Sequence, residues 1–396
     1  MNSRKRNIVA SLTAQVTMVF ALILGASLSA QAQVESVLYS FKGGYDGEHP
    51  SSRLVRDARG NLYGTTPTGG AHNNGKVFQI SPLGAETVLY SFQGGKDGSY
   101  PSGGMVRDGR GNLYGTTLYG GTLRPYGGLG TVFKLSANGT ERVIHTFQGG
   151  KDGSYPNGDL IRDANGHLFG TTQFGGAFGS GTVFEINPKG KEVVLHDFAD
   201  GADGGYPSAG VVMDANGNLY GTTPFTNNVG MGTVFEIMAD HTPKTLYSFQ
   251  GSADGYYPQG GVVLDGAGNV YGTTYYGGGF FGLGVVFQVS QDGNETVLHR
   301  FRGGMNRDGA SPVSGLVLDA QGHFYGTTPF GGMGHGTVFQ MATDGTEHVI
   351  YNFKGGAQGD GGRPSAALIL DNQGNLYGTT TYGGVHDHGT VFVLTP

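Results

Sequence analysis

The chain has 396 residues, no cysteine, 77 glycines and a formal charge of −6. The missing cysteines exclude disulfides, thiolate metal sites, a cysteine nucleophile and a lipoprotein anchor. A mildly acidic balance without basic runs argues against nucleic acid and against anionic lipid as partners.

The first element is a leader. Arg4, Lys5 and Arg6 precede the apolar run VTMVFALILGASL, and Ala30-Gln31-Ala32 supplies a small-x-small cleavage pattern. The run is short of the about 20 residues a membrane span needs. The expectation is a signal peptide over 1–32 and a single domain over 33–396, secreted or periplasmic, with no membrane contact after cleavage. Without the leader, 21 basic residues face 30 acidic ones, a net of −9.

A TVLYSF-like strand follows at 34–41, and then a repeat takes over. LYGTT or a close variant occurs seven times, with its glycine at Gly64, Gly115, Gly170, Gly221, Gly272, Gly326 and Gly378, at intervals of 51 to 55 residues. Each unit offers four strands rich in Val, Ile, Tyr, Phe and Thr. In the first copies these are an LVRD-like strand at 54–57, NLYGTT at 61–66, a GTVFKL-like strand at 130–135 and a TVLYSF-like strand at 87–92. Asp57 stands three residues before Gly60, as Asp163 before Gly166 and Asp371 before Gly374. An aspartate that accepts turn N–H groups, followed by a glycine at positive φ, predicts tight hairpins. No segment has sustained helical periodicity, so almost no helix is expected. Four antiparallel strands at this period predict propeller blades. The chain opens with a fourth strand and closes with a third, at 391–394. That split phase predicts an all-β, seven-bladed ring, with 34–41 completing the last blade and covering its bare edge.

With GNLYGTT, GTVF and VLYSFxGGxDGxxP in seven in-register copies, nearly all of the chain after the leader resembles the Gloeo/Verruco (GloVer) repeat family of exported bacterial proteins. The resemblance implies export. Some members carry a C-terminal sorting or anchoring segment, whereas here the sequence runs to Pro396 directly after a blade strand, so no anchor is inferred. The DxxGNLYGT segment also resembles blades of two-component-regulator sensor propellers. Neither resemblance supplies a catalytic residue, and a fold does not by itself give a function.

The loops after the second and fourth strands share one face and carry the unusual residues. Two residues past each TT pair stand Tyr119, Phe174, Phe225, Tyr276, Phe330 and Tyr382, with Thr68 as the exception. The residue before the loop proline adds Tyr100, Tyr155, Tyr206 and Tyr257, and an enlarged loop in blade 2 adds Arg124 and Tyr126. Such rings suit the apolar faces of sugars, while their recurrence suits loops stiffened by packing. The loop aspartates Asp46, Asp97, Asp152, Asp203, Asp254, Asp308 and Asp360 are each followed by glycine. They are read as holding their own turns, since their spacing is not that of a calcium loop. Departures from the repeat include His335, His386, His388 and His72 in blades 6, 7 and 1, and Asn227-Asn228 in blade 4. No established metal-ligand spacing is present, so neither a metal nor a cofactor is expected.

G-x-S-x-G and HExxH are absent. The expectation is therefore a monomeric, non-enzymatic propeller that recognises an extracellular glycan or a protein through its loop face. The alternatives are a glycan-degrading enzyme at the channel mouth, built on non-repeating residues such as Arg53, Asp159, Arg124, His49 and Arg363, or a purely structural module.

Overall fold

The hairpins form as their turn chemistry dictates. Asp57 Oδ1 accepts the N–H groups of Arg59 and Asn61, both at 2.9 Å, while Oδ2 accepts Asn61 Nδ2 at 2.9 Å and the Tyr63 hydroxyl at 3.0 Å. Gly60 closes the turn at φ +85° and donates to the Asp57 carbonyl at 3.0 Å. Burial alone would raise the Asp57 carboxyl, but the donors from Asn61, Tyr63 and Arg59 outweigh it and hold the group below its ordinary range. Asp108, Asp214, Asp265 and Asp371 repeat the arrangement with Asn112, Asn218, Asn269 and Asn375.

A computed structural model describes residues 34–121, 127–227, 230–304, 308–356 and 359–396, which form seven four-stranded antiparallel sheets. The signal peptide expected over residues 1–32 lies outside the described residues. Blade 1 contains, from the inner edge outward, Val55–Arg56, Leu62–Thr66, Lys76–Ile80 and Glu86–Ser91. Blades 2 to 6 repeat that order. Blade 7 takes Ile369–Leu370, Leu376–Thr380 and Thr390–Thr395 from one end of the chain and Val34–Ser40 from the other. The closing pair runs from Val34↔Thr395 to Ser40↔Thr390.

The core lies between blades. The Phe that follows each outer strand meets the Phe of the next blade's third strand, edge on, at 5.1 to 5.3 Å between centroids. All seven junctions carry this contact, including Phe353–Phe392 and Phe41–Phe78 on either side of the closing strand. Burying one such ring stabilises the fold by roughly 1.5–3 kcal/mol. The glycine of LYGTT makes room for it: a Cβ on Gly170 would lie 2.7 Å from Phe184 Cζ.

Two details differ from the sequence reading. The first strands pair over two residues, Val55–Arg56 in blade 1, because Leu54 already belongs to the approach segment and Asp57 to the turn. Leu54 is still buried, at 2% exposure. The approach segments bond to the neighbouring blade instead, as Leu160 N–H does to the Gly104 carbonyl at 3.2 Å. Short bridges also join Gly309–Ala310 to Phe330–Gly331 and Gly361–Gly362 to Tyr382–Gly383. Three-residue 3-10 turns stand at Gly44–Asp46, Gly95–Asp97 and Gly150–Asp152.

Candidate functional site

The loop face is built by the threonine pair and by a strained residue at each junction. In blades 3 to 6 the first threonine of TT ties its blade to the next, as Thr171 Oγ1 does by donating to the Ala209 carbonyl at 2.8 Å. The second fixes the loop behind it: Thr117 Oγ1 donates to the Tyr119 carbonyl at 2.9 Å, and Thr380 Oγ1 to the Tyr382 carbonyl at 2.8 Å. The residue before each loop proline sits at positive φ, from +52° at Ser311 to +64° at Tyr257. For a non-glycine residue that conformation is strained, and each is held by its N–H donating to a carbonyl of the preceding blade, with a second bond to its own carbonyl at Tyr100, Tyr155, Tyr257 and Arg363. Tyr100 N–H donates to the Asn74 carbonyl of blade 1 at 2.9 Å, and its own carbonyl accepts from Leu118 of blade 2 at 3.0 Å. The proline behind it is received by a glycine, since a Cβ on Gly75 would lie 2.4 Å from Pro101 Cδ.

These constraints turn ten of the sequence-identified aromatics toward one face. Tyr100, Tyr119, Tyr155, Phe174, Tyr206, Phe225 and Tyr257 contact one another in succession at 5.1 to 5.9 Å, edge to face, and Tyr276 follows at 6.1 Å. The arc therefore runs unbroken across the junctions of blades 1 to 5. Tyr100, Tyr119, Phe174 and Tyr276 remain 38 to 41% exposed, so the rings pack on each other without being covered. Tyr256 and Tyr275, which the repeat pattern did not single out, thicken the arc at Tyr276, with centroids 5.3 and 4.4 Å away. Their signal was the doubling of tyrosine before Pro258 and after Thr274. Exposed apolar tips also stand on the neighbouring loops, with Phe280 at 97% and Phe178 at 65% exposure.

The arc ends at Ser311, which is buried and takes the place of a tyrosine. Beyond it the face becomes polar. Phe330 and Tyr382 flank the Arg363 guanidinium, at 5.5 and 5.2 Å from ring centroid to Cζ. Arg363 has no carboxylate partner among the described residues. Beside it opens a cavity of about 370 Å³ lined by Arg363, Tyr382, His335, Val385, Asp387 and several glycines. The His49 ring packs on Tyr382 at 4.9 Å and its Nδ1 bonds the Thr381 carbonyl at 2.9 Å. One donor atom each from Glu48, His49 and His388 lie within 4.8 Å of one another. His386 and His72 are exposed and stand outside that group. Arg124, Tyr126 and Asn228 lie outside the described residues. Of the candidates for chemistry at the channel mouth, Asp159 is engaged structurally: its Oδ1 accepts the Gly104 N–H at 2.6 Å. Arg53 is exposed.

The loop aspartates form a second repeated layer, nearer the outer strands. Asp97 Oδ2 accepts the Gln93 N–H at 2.8 Å and the Tyr90 hydroxyl at 2.9 Å, which is the self-bracing turn expected of it. A glutamate of the next outer strand faces each of five such aspartates. Burial first, and the nearby aspartate second, push Glu141 up to about 7, and Glu35, Glu192, Glu295 and Glu347 reach about the same value. At the junction of blades 7 and 1 an ammonium fills the place instead. Lys76 Nζ, fully buried, lies 2.8 Å from Glu86 Oε1 and 3.5 Å from Asp46 Oδ1.

Among the described residues no helix is long and apolar enough to cross a membrane. No curated protein matches the chain in sequence. In fold it is similar to a structure described as the extracellular domain of a one-component system from B. thetaiotaomicron, with 12% identity and a TM-score of 0.56 over 92% of this chain and 42% of that one. A structure named as a gluconolactonase aligns at 14% identity and TM-score 0.43 over 92% of each chain. A luciferin-regenerating enzyme aligns at 12% identity and TM-score 0.46 over 92% of this chain and 95% of that one. At such identities the likeness is one of fold. The sequence profile of the Gloeobacter/Verrucomicrobia repeat, in contrast, matches residues 26–165, 125–282 and 277–396. Those stretches hold every turn, threonine pair and junction proline described above, and the chain belongs to the Gloeobacter/Verrucomicrobia repeat family.

Proposed function

We propose that this protein is exported and binds a carbohydrate on its loop face, with preference for a glycan that carries carboxylates. The arc from Tyr100 to Tyr276 carries the reading. It offers a run of half-exposed rings, held rigid by their neighbours, against which the C–H faces of successive sugars can stack. Rigid aromatics lose little conformational entropy on binding, which favours them as recognition surfaces. Arg363 adds a planar cation, already stacked between two rings, at the edge of the polar cavity. A guanidinium so placed suits bidentate pairing with a uronate carboxylate. The basic n-region, short apolar run and Ala30-Gln31-Ala32 of the leader support export.

A glycan array tests the reading, with wild type, Tyr119→Ala, Tyr276→Ala and Arg363→Gln in parallel. The expected result is binding to an oligosaccharide class that either tyrosine variant loses by tenfold or more, a loss of about 1.4 kcal/mol or above. Arg363→Gln should lose the preference for uronate-bearing over neutral chains while keeping the fold. Retention of no glycan would overturn the reading and leave a protein ligand as the remaining use of the face.

A further inference from the structure

We infer that Glu48, His49 and His388 bind a divalent transition-metal ion of the zinc class, at the junction of blades 7 and 1. The inference does not depend on glycan binding, since it concerns the polar sector alone.

The first observation is convergence. Two imidazoles and a carboxylate each bring a donor atom within 4.8 Å of the other two. His388 Nδ1 and Glu48 Oε2 are 3.1 Å apart. Zinc bonds of ~2.0–2.2 Å at tetrahedral angles put neighbouring donors ~3.3–3.6 Å apart, so Glu48 and His388 stand near that spacing and His49 must close in from within 4.8 Å.

The second observation is protonation state. A backbone carbonyl only accepts, so the 2.9 Å contact from His49 Nδ1 to the Thr381 carbonyl places the hydrogen on Nδ1. Nε2 is left with the lone pair a metal requires. An imidazole anchored through its other nitrogen to a carbonyl is the usual support of a metal ligand. His388 Nδ1 is shielded from solvent and makes no well-formed hydrogen bond, despite its nearness to Glu48. Its ring lies over Gly43, where a Cβ would come within 2.6 Å of Nε2.

The third observation is broken symmetry. In the other six junctions the place of Glu48 is taken by Ser99, Ser154, Gly205, Tyr256, Ala310 and Gly362. The place of His49 is taken by four tyrosines, Ser311 and Arg363, and that of His388 by Asn74, Leu129, Ser180, Met231, Leu283 and His335. The backbone bond from His49 N–H to the His388 carbonyl recurs between their counterparts, as from Tyr100 to Asn74, so the scaffold itself does not call for these side chains. Three ligand-type residues meet at one junction of seven. The competing ligand-type cluster, His299, Asp308 and Glu347, instead follows the ring-wide layer of Tyr or His, Asp and Glu.

Two imidazoles and one carboxylate favour zinc, or copper(II) and nickel(II), over calcium, which takes oxygen donors. Three protein ligands leave a coordination position open for water or for an anionic group of a ligand.

The test is calorimetric titration of the chelator-stripped, purified chain with zinc chloride, with calcium chloride as the comparison. Wild type should take up a single zinc and no calcium at the same concentrations. His49→Gln and His388→Gln should each weaken zinc uptake by roughly tenfold or more. His299→Gln should leave it unchanged. Thermal melts of the metal-free variants check that each is folded, and cobalt(II) substitution should give visible bands of tetrahedral intensity that both variants lose. Absence of zinc uptake by wild type, or uptake that only His299→Gln diminishes, would overturn the assignment.

Discussion

The junction between blades 1 and 2 and the junction between blades 7 and 1 use the same backbone and opposite chemistry. At the former, Tyr100 occupies the strained position before the proline, Tyr119 packs beside it, and Asp97 faces a Glu141 whose carboxyl titrates near 7. At the latter, His49 occupies that position, Thr68 replaces the second ring, and Lys76 neutralises Asp46 and Glu86. The bond that ties the residue before the proline to the preceding blade is kept in both, from Tyr100 to Asn74 and from His49 to His388, so the scaffold tolerates either apolar or ionic furnishing. Repetition therefore marks what holds the ring together, and departure marks where polar chemistry has been admitted.

The sharpest way to break the comparison is to remove the buried ammonium. Lys76→Met leaves Asp46 and Glu86 facing each other without a cation, and should cost about 3–5 kcal/mol in urea unfolding. Thr131→Val, at the equivalent position of blade 2, removes only its hydroxyl contact with Thr117 and should cost about 1 kcal/mol. Adding Glu86→Gln to Lys76→Met should recover part of the loss. Equal costs for the two single variants would show that the ionic junction has no special dependence on its cation.

A middle-sized effect isolates backbone strain from ring packing. Tyr155→Ala and Tyr155→Gly both remove the contacts to Tyr119 and Phe174, but only glycine is at ease at φ +56°. The glycine variant should be the more stable by about 1 kcal/mol. An alanine variant of equal or greater stability would mean that the positive φ is not held in solution.

The smallest effect is a pH dependence. Glu35, Glu141, Glu192, Glu295 and Glu347 are raised from 4.5 to about 7 in the folded chain, chiefly by burial. The folded state thus holds these protons more tightly than the unfolded state. Their contribution is complete below about 4.5 and is lost as pH climbs through about 7. His145 and His196, lowered by burial, act in the opposite sense below 6.5, and the turn aspartates act only below 3.8. The melting temperature should fall between pH 5 and pH 8, and Glu141→Gln with Glu295→Gln should flatten the slope. A melting temperature that rises over that interval would contradict the protonated layer.

Much of the ring was legible because the period and the turn residues are local signals. Asp57 and Gly60 fix a hairpin wherever they occur, and seven copies fix the blade number. What stayed hidden depends on side-chain reach across junctions. Lys76 is visible as a lysine where blades 2, 3, 4, 6 and 7 have threonine, but nothing in the spacing says that its ammonium arrives between Asp46 and Glu86. Likewise, the histidines of blades 7 and 1 were noticed, yet His386 and His72 point to solvent while Glu48 and His49 meet His388. The rule that would have found the trio is structural: the residue before each junction proline bonds the residue that precedes GTVF in the blade before it.

The closing strand has a consequence for the order of events during synthesis. Val34–Ser40 is made near the start and waits for Thr390–Thr395, made near the end. At ~5–20 residues per second that wait lasts tens of seconds, and the contact it awaits is among the most non-local a chain of this length can form. Glu48 and His49 lie just beyond the waiting strand, and His388 just before its partner. The trio can therefore assemble only as the ring clicks shut, and any ion it captures would act as a latch, slowing reopening at the one seam where the two halves of the chain meet.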